Sequence, residues 1–387
     1  MLDYLPYILL ISLLFIGSLL EVMGYRKDQM KIVRWVILAF LFIFLGFRFN
    51  TGADWYLYIR EFTSISERGC DIKSWELGFV LLNRIVAAVF GNYYVIQIGA
   101  SFFLLYAINS VYKQYTSYPI TSITLFVILF LPGIMMAQVR QSIALAIVLL
   151  GTSYIFEKKF FRYLGVVCIA CLFHISAIAA FPLYFLNRRI KKYTVLIVML
   201  CPLVFYLYPN IVIDLLDVLT PYLPGRLSSL AEAYRDSFFA RKAEFGTGLY
   251  FIATIFIYIT TVLLVEYKER NYFYINALMV LVVILSMSNA ISILGRFSSY
   301  YYSYAIIAII NLLEIKYKPL SKSVGKFLLY NFIFFFFLFR LTVVLTQKQI
   351  SPLTGRAGNY GYVPYYSLIY HPEEANDRLD WVQSNKK

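Results

Sequence analysis

The chain has 387 residues, 61% hydrophobic, 19% aromatic and only 14% charged, with a formal net charge of +14. A soluble domain carries about a quarter charged residues, so this apolar excess cannot be hidden in one aqueous core, and collagen-like, coiled-coil and disordered chains are excluded with it. The positive charge does not call for a nucleic-acid partner, because basic residues in a polytopic membrane protein first set its orientation.

A membrane span needs roughly 20 apolar residues. In chain order the clear candidates are Tyr4–Met23, Val33–Phe49, Tyr93–Tyr112, Thr121–Ala137, Gln141–Phe156, Tyr193–Tyr208, Gly248–Val265, Tyr272–Ile293, Phe297–Ile315 and Phe327–Leu345. The first run is too long for a signal core and no basic segment precedes it, so no cleavable signal is expected. Two stretches are ambiguous. Glu76–Phe90 is short and carries Asn83 and Arg84, which places it in the outer interface. Tyr163–Leu186 holds His174 at its centre and Pro182 beyond; it reads as two short helices that dip in and return, with His174 near the turn. Such a break is tolerated only where protein or a wet cavity covers it.

This arrangement puts eighteen basic and six acidic residues inside, against sixteen and fifteen outside, with Arg340 within a span. Short cytoplasmic loops show this asymmetry. The expected fold is an all-α polytopic integral membrane protein of about 10–13 membrane helices, including re-entrant or interfacial ones. Residues 1–346 form the membrane domain, with extracytoplasmic loops 48–92 and 209–247. Residues 347–387 form an extracytoplasmic tail.

Four polar segments fall on the outer side. Arg48 and Asp54 flank Gly52; they either pair or both face a polar ligand, unless Asp54 only starts a helix running to Phe62. Arg140 opens a span, where free backbone donors and the helix dipole add to a guanidinium in holding an anion. It is otherwise an arginine snorkelling to headgroups. His174 is one of two histidines; at membrane depth it is a base, a ligand contact or a structural hydrogen bonder. Arg296 opens another span, with Tyr300 four residues on along the same helical face. The bland reading there is an aromatic belt with its arginine.

Cys168 and Cys171 have the spacing of half a metal or redox site but lack a second pair, and in apolar runs cysteine behaves as a small hydrophobe. No Gly-rich phosphate loop, Asp-x-Asp pair, His-Glu-x-x-His or Gly-x-Ser-x-Gly motif is present. No metal site and no cofactor are therefore expected.

The ordered set Arg48, Gly52, Asp54 and Tyr58, then Glu76, Gly78 and Phe79, then Arg140-Gln141, Phe173-His174 with Ser176, Arg296 with Tyr300, and Pro364-Tyr365 resembles the EpsG/Wzy-type family of bacterial polysaccharide polymerases. The resemblance implies a GT-C-like, multi-pass lipid-linked glycosyltransferase of the bacterial inner membrane, with its active site facing the periplasm or exterior. It implies transfer of a growing O-antigen or exopolysaccharide chain from undecaprenyl diphosphate to the terminal sugar of the next lipid-linked repeat unit. Donor, acceptor and membrane lipid are its expected partners, with room for a chain-length regulator protein. On this pattern Arg140, Arg296 and Arg48 are expected at the diphosphate. Tyr58, Glu76, Gln141 and Tyr300 are expected at the substrate, with His174 or Asp54 as the base. An O-antigen ligase using the same donor and a non-catalytic lipid-linked oligosaccharide flippase are the rival readings; a flippase is expected to show internal repeats, and none is visible.

Overall fold

The structure, a computed structural model, describes residues 2–68, 76–191, 245–265, 269–288, 294–315 and 322–346, isolated positions between 193 and 222, and tail residues 349–350, 357–358, 362–363 and 365–369. The expected span Tyr193–Tyr208 and most of loop 209–247 lie outside the described residues, as does the end of the tail.

Helices dominate. α1 is Leu5–Val22, α2 Lys27–Gly46, α3 Trp55–Arg68, α4 Leu77–Phe90, α5 Tyr94–Tyr115, α6 Pro119–Phe130, α7 Val139–Leu150, α8 Thr152–Phe156 and α9 Phe160–Cys171. A 3-10 helix at Ile175–Leu186 follows, and then α10 Phe245–Leu264, α11 Glu269–Ser288, α12 Gly295–Ile310 and α13 Lys322–Thr346. The described tail adds one two-residue antiparallel pairing, Gln349–Ile350 with Ala357–Gly358. Five helices are long and apolar enough to cross a membrane: Leu5–Val22, Lys27–Gly46, Tyr94–Tyr115, Asn271–Ser288 and Ser323–Thr346. Shorter apolar helices, Leu77–Phe90, Phe160–Cys171 and Ile175–Leu186 among them, accompany these. The chain is an all-α polytopic membrane protein.

The contacts divide the chain into two compact units. The first comprises Met1–Thr152, Gly165–Ile175 and Lys316–Lys387; the second comprises Ser153–Leu164 and Ser176–Ile315.

In the first unit α1 packs on α2, α6 and α13, α5 packs on α2 and α7, and α3 packs on α4. At one end the Glu21 carboxylate accepts from the backbone N–H groups of Ile120 at 2.9 Å and Thr121 at 2.7 Å. It thereby caps α6, whose Pro119 has no N–H to offer. At the other end one expected span is interrupted. The expected Thr121–Ala137 helix ends at Phe130 and widens into a π turn at Leu131–Met135. Pro132 is the cause, because it cannot donate back to the preceding turn. That turn and Gly46 at the end of α2 bracket the loop that carries Arg48 and Asp54.

The expected break at His174 is present. α9 tightens to a stop as the N–H groups of Phe173 and His174 both donate to Ala170, each at 3.0 Å. The 3-10 helix then runs for twelve residues with Pro182 inside it. Such runs are rarely longer than a turn or so, because their hydrogen bonds are poor. In the second unit side chains compensate. Tyr163 Oη donates to the Ala180 carbonyl at 2.8 Å and Tyr301 Oη to that of Ala179 at 2.7 Å. Asn276 Nδ2, buried in the middle of α11, donates to the carbonyls of Leu186 and Arg188, both at 2.8 Å. It closes the helix end that would otherwise leave orphan carbonyls.

Candidate active site

The loop after α2 is built around Arg48, which is 2% exposed. Its Nε donates to the Thr51 carbonyl at 3.2 Å, its Nη2 to the Met136 carbonyl at 3.0 Å, and its Nη1 to the Leu45 carbonyl. Burial pulls the guanidinium below its ordinary pKa, and the nearby Tyr93, Tyr365, Tyr7 and Tyr58 oppose that pull. Gln97, from the first turn of α5, donates to the carbonyls of Gly46 at 2.9 Å and Arg48 at 2.8 Å. Asn50 and Gly52 take positive φ, 46° and 116°, and a Cβ on Gly52 would run into the Met136 carbonyl. The turn therefore needs glycine for both conformation and approach.

The tail completes this loop. Phe49 N–H donates to the Tyr366 carbonyl at 2.9 Å and Leu368 N–H to the Phe47 carbonyl at 2.7 Å, an antiparallel bridge that pairs Arg48 with Ser367. Tyr365 stacks on Phe44 with ring centres 4.4 Å apart, and Tyr362 Oη donates to the Pro132 carbonyl at 2.6 Å. Over its described residues 362–363 and 365–369 the tail is thus part of the first unit.

Arg48, expected at the diphosphate, is held by the backbone. Each of its nitrogens is given to a carbonyl, and its reach joins the loop to the π turn before α7. Replacement by Met is expected to leave three buried carbonyls short of a donor, each worth about 1–3 kcal/mol. Arg48→Met should lower the melting temperature of the detergent-purified protein by several degrees. A normal melting curve with lost donor binding would return Arg48 to the diphosphate.

Arg140 stands in the first turn of α7 and projects toward the start of α4. Its Nη1 donates to Glu76 Oε2 at 2.5 Å, and the two side chains keep 19% and 18% of their surface exposed. The guanidinium carbon lies 5.9 Å from the ring centre of Phe79. The other Glu76 oxygen, Oε1, accepts from the Ile175 N–H at 3.2 Å, at the start of the 3-10 helix. One residue pair further on, Gly78 N–H donates to the Leu172 carbonyl at 2.8 Å, and a Cβ on Gly78 would clash with that carbonyl. The start of α4 is in this way stitched to the break that carries His174. Burial pushes the Glu76 carboxyl up, but Arg140, the backbone donors and His174 outweigh it and hold Glu76 below its ordinary value.

Asp54 sits at the start of α3, where the Tyr58 N–H donates to its carbonyl at 3.2 Å. The Tyr58 phenol is pushed up by burial and by Asp54, and drawn down by Arg140. Asp54, Tyr58, Glu76, Arg140 and His174 thus form one group at one end of the first unit, over a core of Phe62, Phe79, Tyr93 and Ile143. His174 is 7% exposed.

Gln141 and Tyr300, expected at the substrate with Tyr58, are 0% exposed, and Tyr58 is 4% exposed. Tyr58 stacks on Tyr93 with centres 6.1 Å apart. Tyr300 belongs to the second unit, where its Oη lies 3.1 Å from Ser176 Oγ. Arg296 occupies the first turn of α12 in that unit. Among the described residues no group of three or more His, Cys, Asp or Glu side chains is placed to hold a metal ion.

Sequence reasoning missed Gln97 and Tyr362 as supports of the Arg48 loop. A glutamine in the first turn of an apolar span is a signal in itself. The aromatic run around Tyr362 carried a weaker one.

The EpsG family model matches residues 31–367, a stretch that runs from α2 to the tail bridge at Ser367. The chain belongs to the EpsG family. EpsG is a Wzy-type polysaccharide polymerase family, so this member is assigned to polysaccharide polymerisation in general. No curated protein and no solved structure matches the chain. The matched range ends at the residue that pairs with Arg48, so the family unit includes the docked part of the tail.

Proposed function

We propose that this EpsG-family protein polymerises undecaprenyl-diphosphate-linked repeat units at the outer face of the bacterial inner membrane. It moves the growing glycan from its lipid diphosphate to the terminal sugar of the next lipid-linked unit. The acceptor hydroxyl oxygen bonds to the anomeric carbon of the donor. The bond from that carbon to the diphosphate oxygen breaks, and its electron pair leaves with the lipid diphosphate. The hydroxyl proton passes to His174. Displacement of this kind inverts the anomeric centre.

The observation that carries this reading is Arg140. It stands in the first turn of a helix, partly exposed, with His174 beside its partner Glu76. A diphosphate leaving group is already acidic, so it needs charge stabilisation more than a proton. A fixed guanidinium at a helix N-terminus supplies that at about 3 kcal/mol per placed donor. The hydroxyl is a poor nucleophile, and a base adds about a hundredfold or more. Arg296, also in a first helical turn, is assigned to diphosphate binding, and Asp54 to the acceptor. No divalent ion is invoked, and turnover is expected to survive EDTA.

The test is reconstitution. Purified protein in lipid, given repeat units isolated from cells lacking this chain, should yield a ladder of lipid-linked oligosaccharides longer than the input. Absence of any product longer than the input unit would sink the polymerase reading.

A further inference from the structure

Glu76 touches both halves of the proposed chemistry. One carboxylate oxygen holds Arg140 at 2.5 Å and the other holds the Ile175 N–H at 3.2 Å, one residue beyond His174. The bond from Gly78 N–H to the Leu172 carbonyl fixes the first turn of α4 against the same break. The charged and titratable groups facing Glu76 are Arg140 on α7, and His174 and Cys171 at the break; Tyr58 on α3 faces Arg140 from its other side.

A guanidinium shared with a carboxylate is a neutral pair. A lipid diphosphate arriving at Arg140 competes for the same N–H groups and repels the carboxylate. Glu76 then loses Arg140 but not its backbone anchor at Ile175. Of its described neighbours, His174 is the one that can become a cation.

We propose that Glu76 couples donor binding to the base: a lipid diphosphate that takes the Arg140 guanidinium transfers the Glu76 carboxylate from Arg140 to the His174 imidazole. There it orients the ring and stabilises the imidazolium that forms when the acceptor hydroxyl gives up its proton. Glu76 is a positioning residue in this scheme, acting through His174. The inference rests on the polymerase reading above.

The experiment compares pH profiles of the full-length protein with lipid-linked repeat units isolated from cells lacking this chain. The profile of kcat/KM for the donor reports the free enzyme, and that of kcat the donor-bound enzyme. A carboxylate moved next to an imidazole favours its charged form, so the acid limb of kcat should lie about one pH unit above that of kcat/KM. In Glu76→Gln the two limbs should coincide and kcat should fall about a hundredfold. Donor KM should fall as well, because nothing competes for Arg140. Glu76→Asp should restore part of kcat and the separation of the limbs. A merely structural Glu76 would raise KM or lower the amount of protein without moving the limbs. Coincident limbs in the wild type overturn the coupling whether or not Glu76→Gln inserts, as does a Glu76→Gln protein with normal kcat. A wild type that makes no product overturns instead the polymerase reading beneath it.

Discussion

Arg140→Lys is expected to remove most polymer while the protein still reaches the membrane at its normal level. Lysine keeps a positive charge for Glu76, so the contact that stitches α7 to α4 survives in ionic form. What it lacks is the planar fork. A guanidinium lies 5.9 Å over Phe79 and can turn two parallel N–H groups to an incoming anion. An ammonium is a point charge and makes no bidentate contact. Loss of one preorganised donor to a developing oxyanion costs about 10²–10³ in kcat, so polymer should shrink to short products. Polymer length on a gel and an immunoblot of the membrane fraction together decide it. Wild-type lengths from Arg140→Lys and from Arg296→Lys would show that neither guanidinium is required. The contrast with Arg48 is physical. Arg48 spends its donors on carbonyls and should act on stability, whereas Arg140 is partly exposed and should act on turnover.

His174→Gln is expected to lose turnover by about 10²–10⁴ while keeping donor binding. Glutamine preserves polarity and approximate size at the break but cannot take a proton. The acid limb identifies the group. Neutral imidazole is the competent form, so the rate falls as pH drops through its pKa, which is about 6.5 when unperturbed. In the free enzyme, read by kcat/KM, Glu76 is not the source of a limb there, because Arg140 and the backbone donors hold it below the ordinary carboxyl value. A pH series with purified protein and lipid-linked units reads this directly. If the mutant keeps the full rate with an unchanged profile, His174 is a structural hydrogen bonder and Asp54 takes over as the base.

Much of this protein is legible in its sequence. Composition alone forces a membrane protein, since an apolar excess of this size has no aqueous fold. Apolar run length locates α1, α2, α5, α11 and α13 to within several residues at each end, because crossing a bilayer is a one-dimensional constraint on consecutive residues. The break at His174 was read from charge, as the basic residues after Leu186 call for a return of the chain. The ordered polar segments gave the family, and they also drew attention to Arg140 and Glu76.

Tertiary structure decided the rest. Sequence separation hides that Glu76 caps the start of a helix 99 residues away while holding Arg140. It also hides that Arg48 reaches a carbonyl 88 residues on, and that Tyr362 bridges to Pro132 across 230 residues. Arg48 and Arg140 are the same residue type next to the same end of the bundle, and the sequence gives both an equal claim on the diphosphate. Their partners differ because the backbone around them differs. The strained loop at Asn50 and Gly52 and the π turn at Pro132 turn their carbonyls toward Arg48, and those carbonyls must be satisfied. The first turn of α7 turns N–H groups outward, which leaves Arg140 to pair with a carboxylate. Which buried polar group meets which partner depends on where three segments far apart in the chain come together. Local sequence does not encode that meeting, because each partner is chosen by the packing of the whole unit.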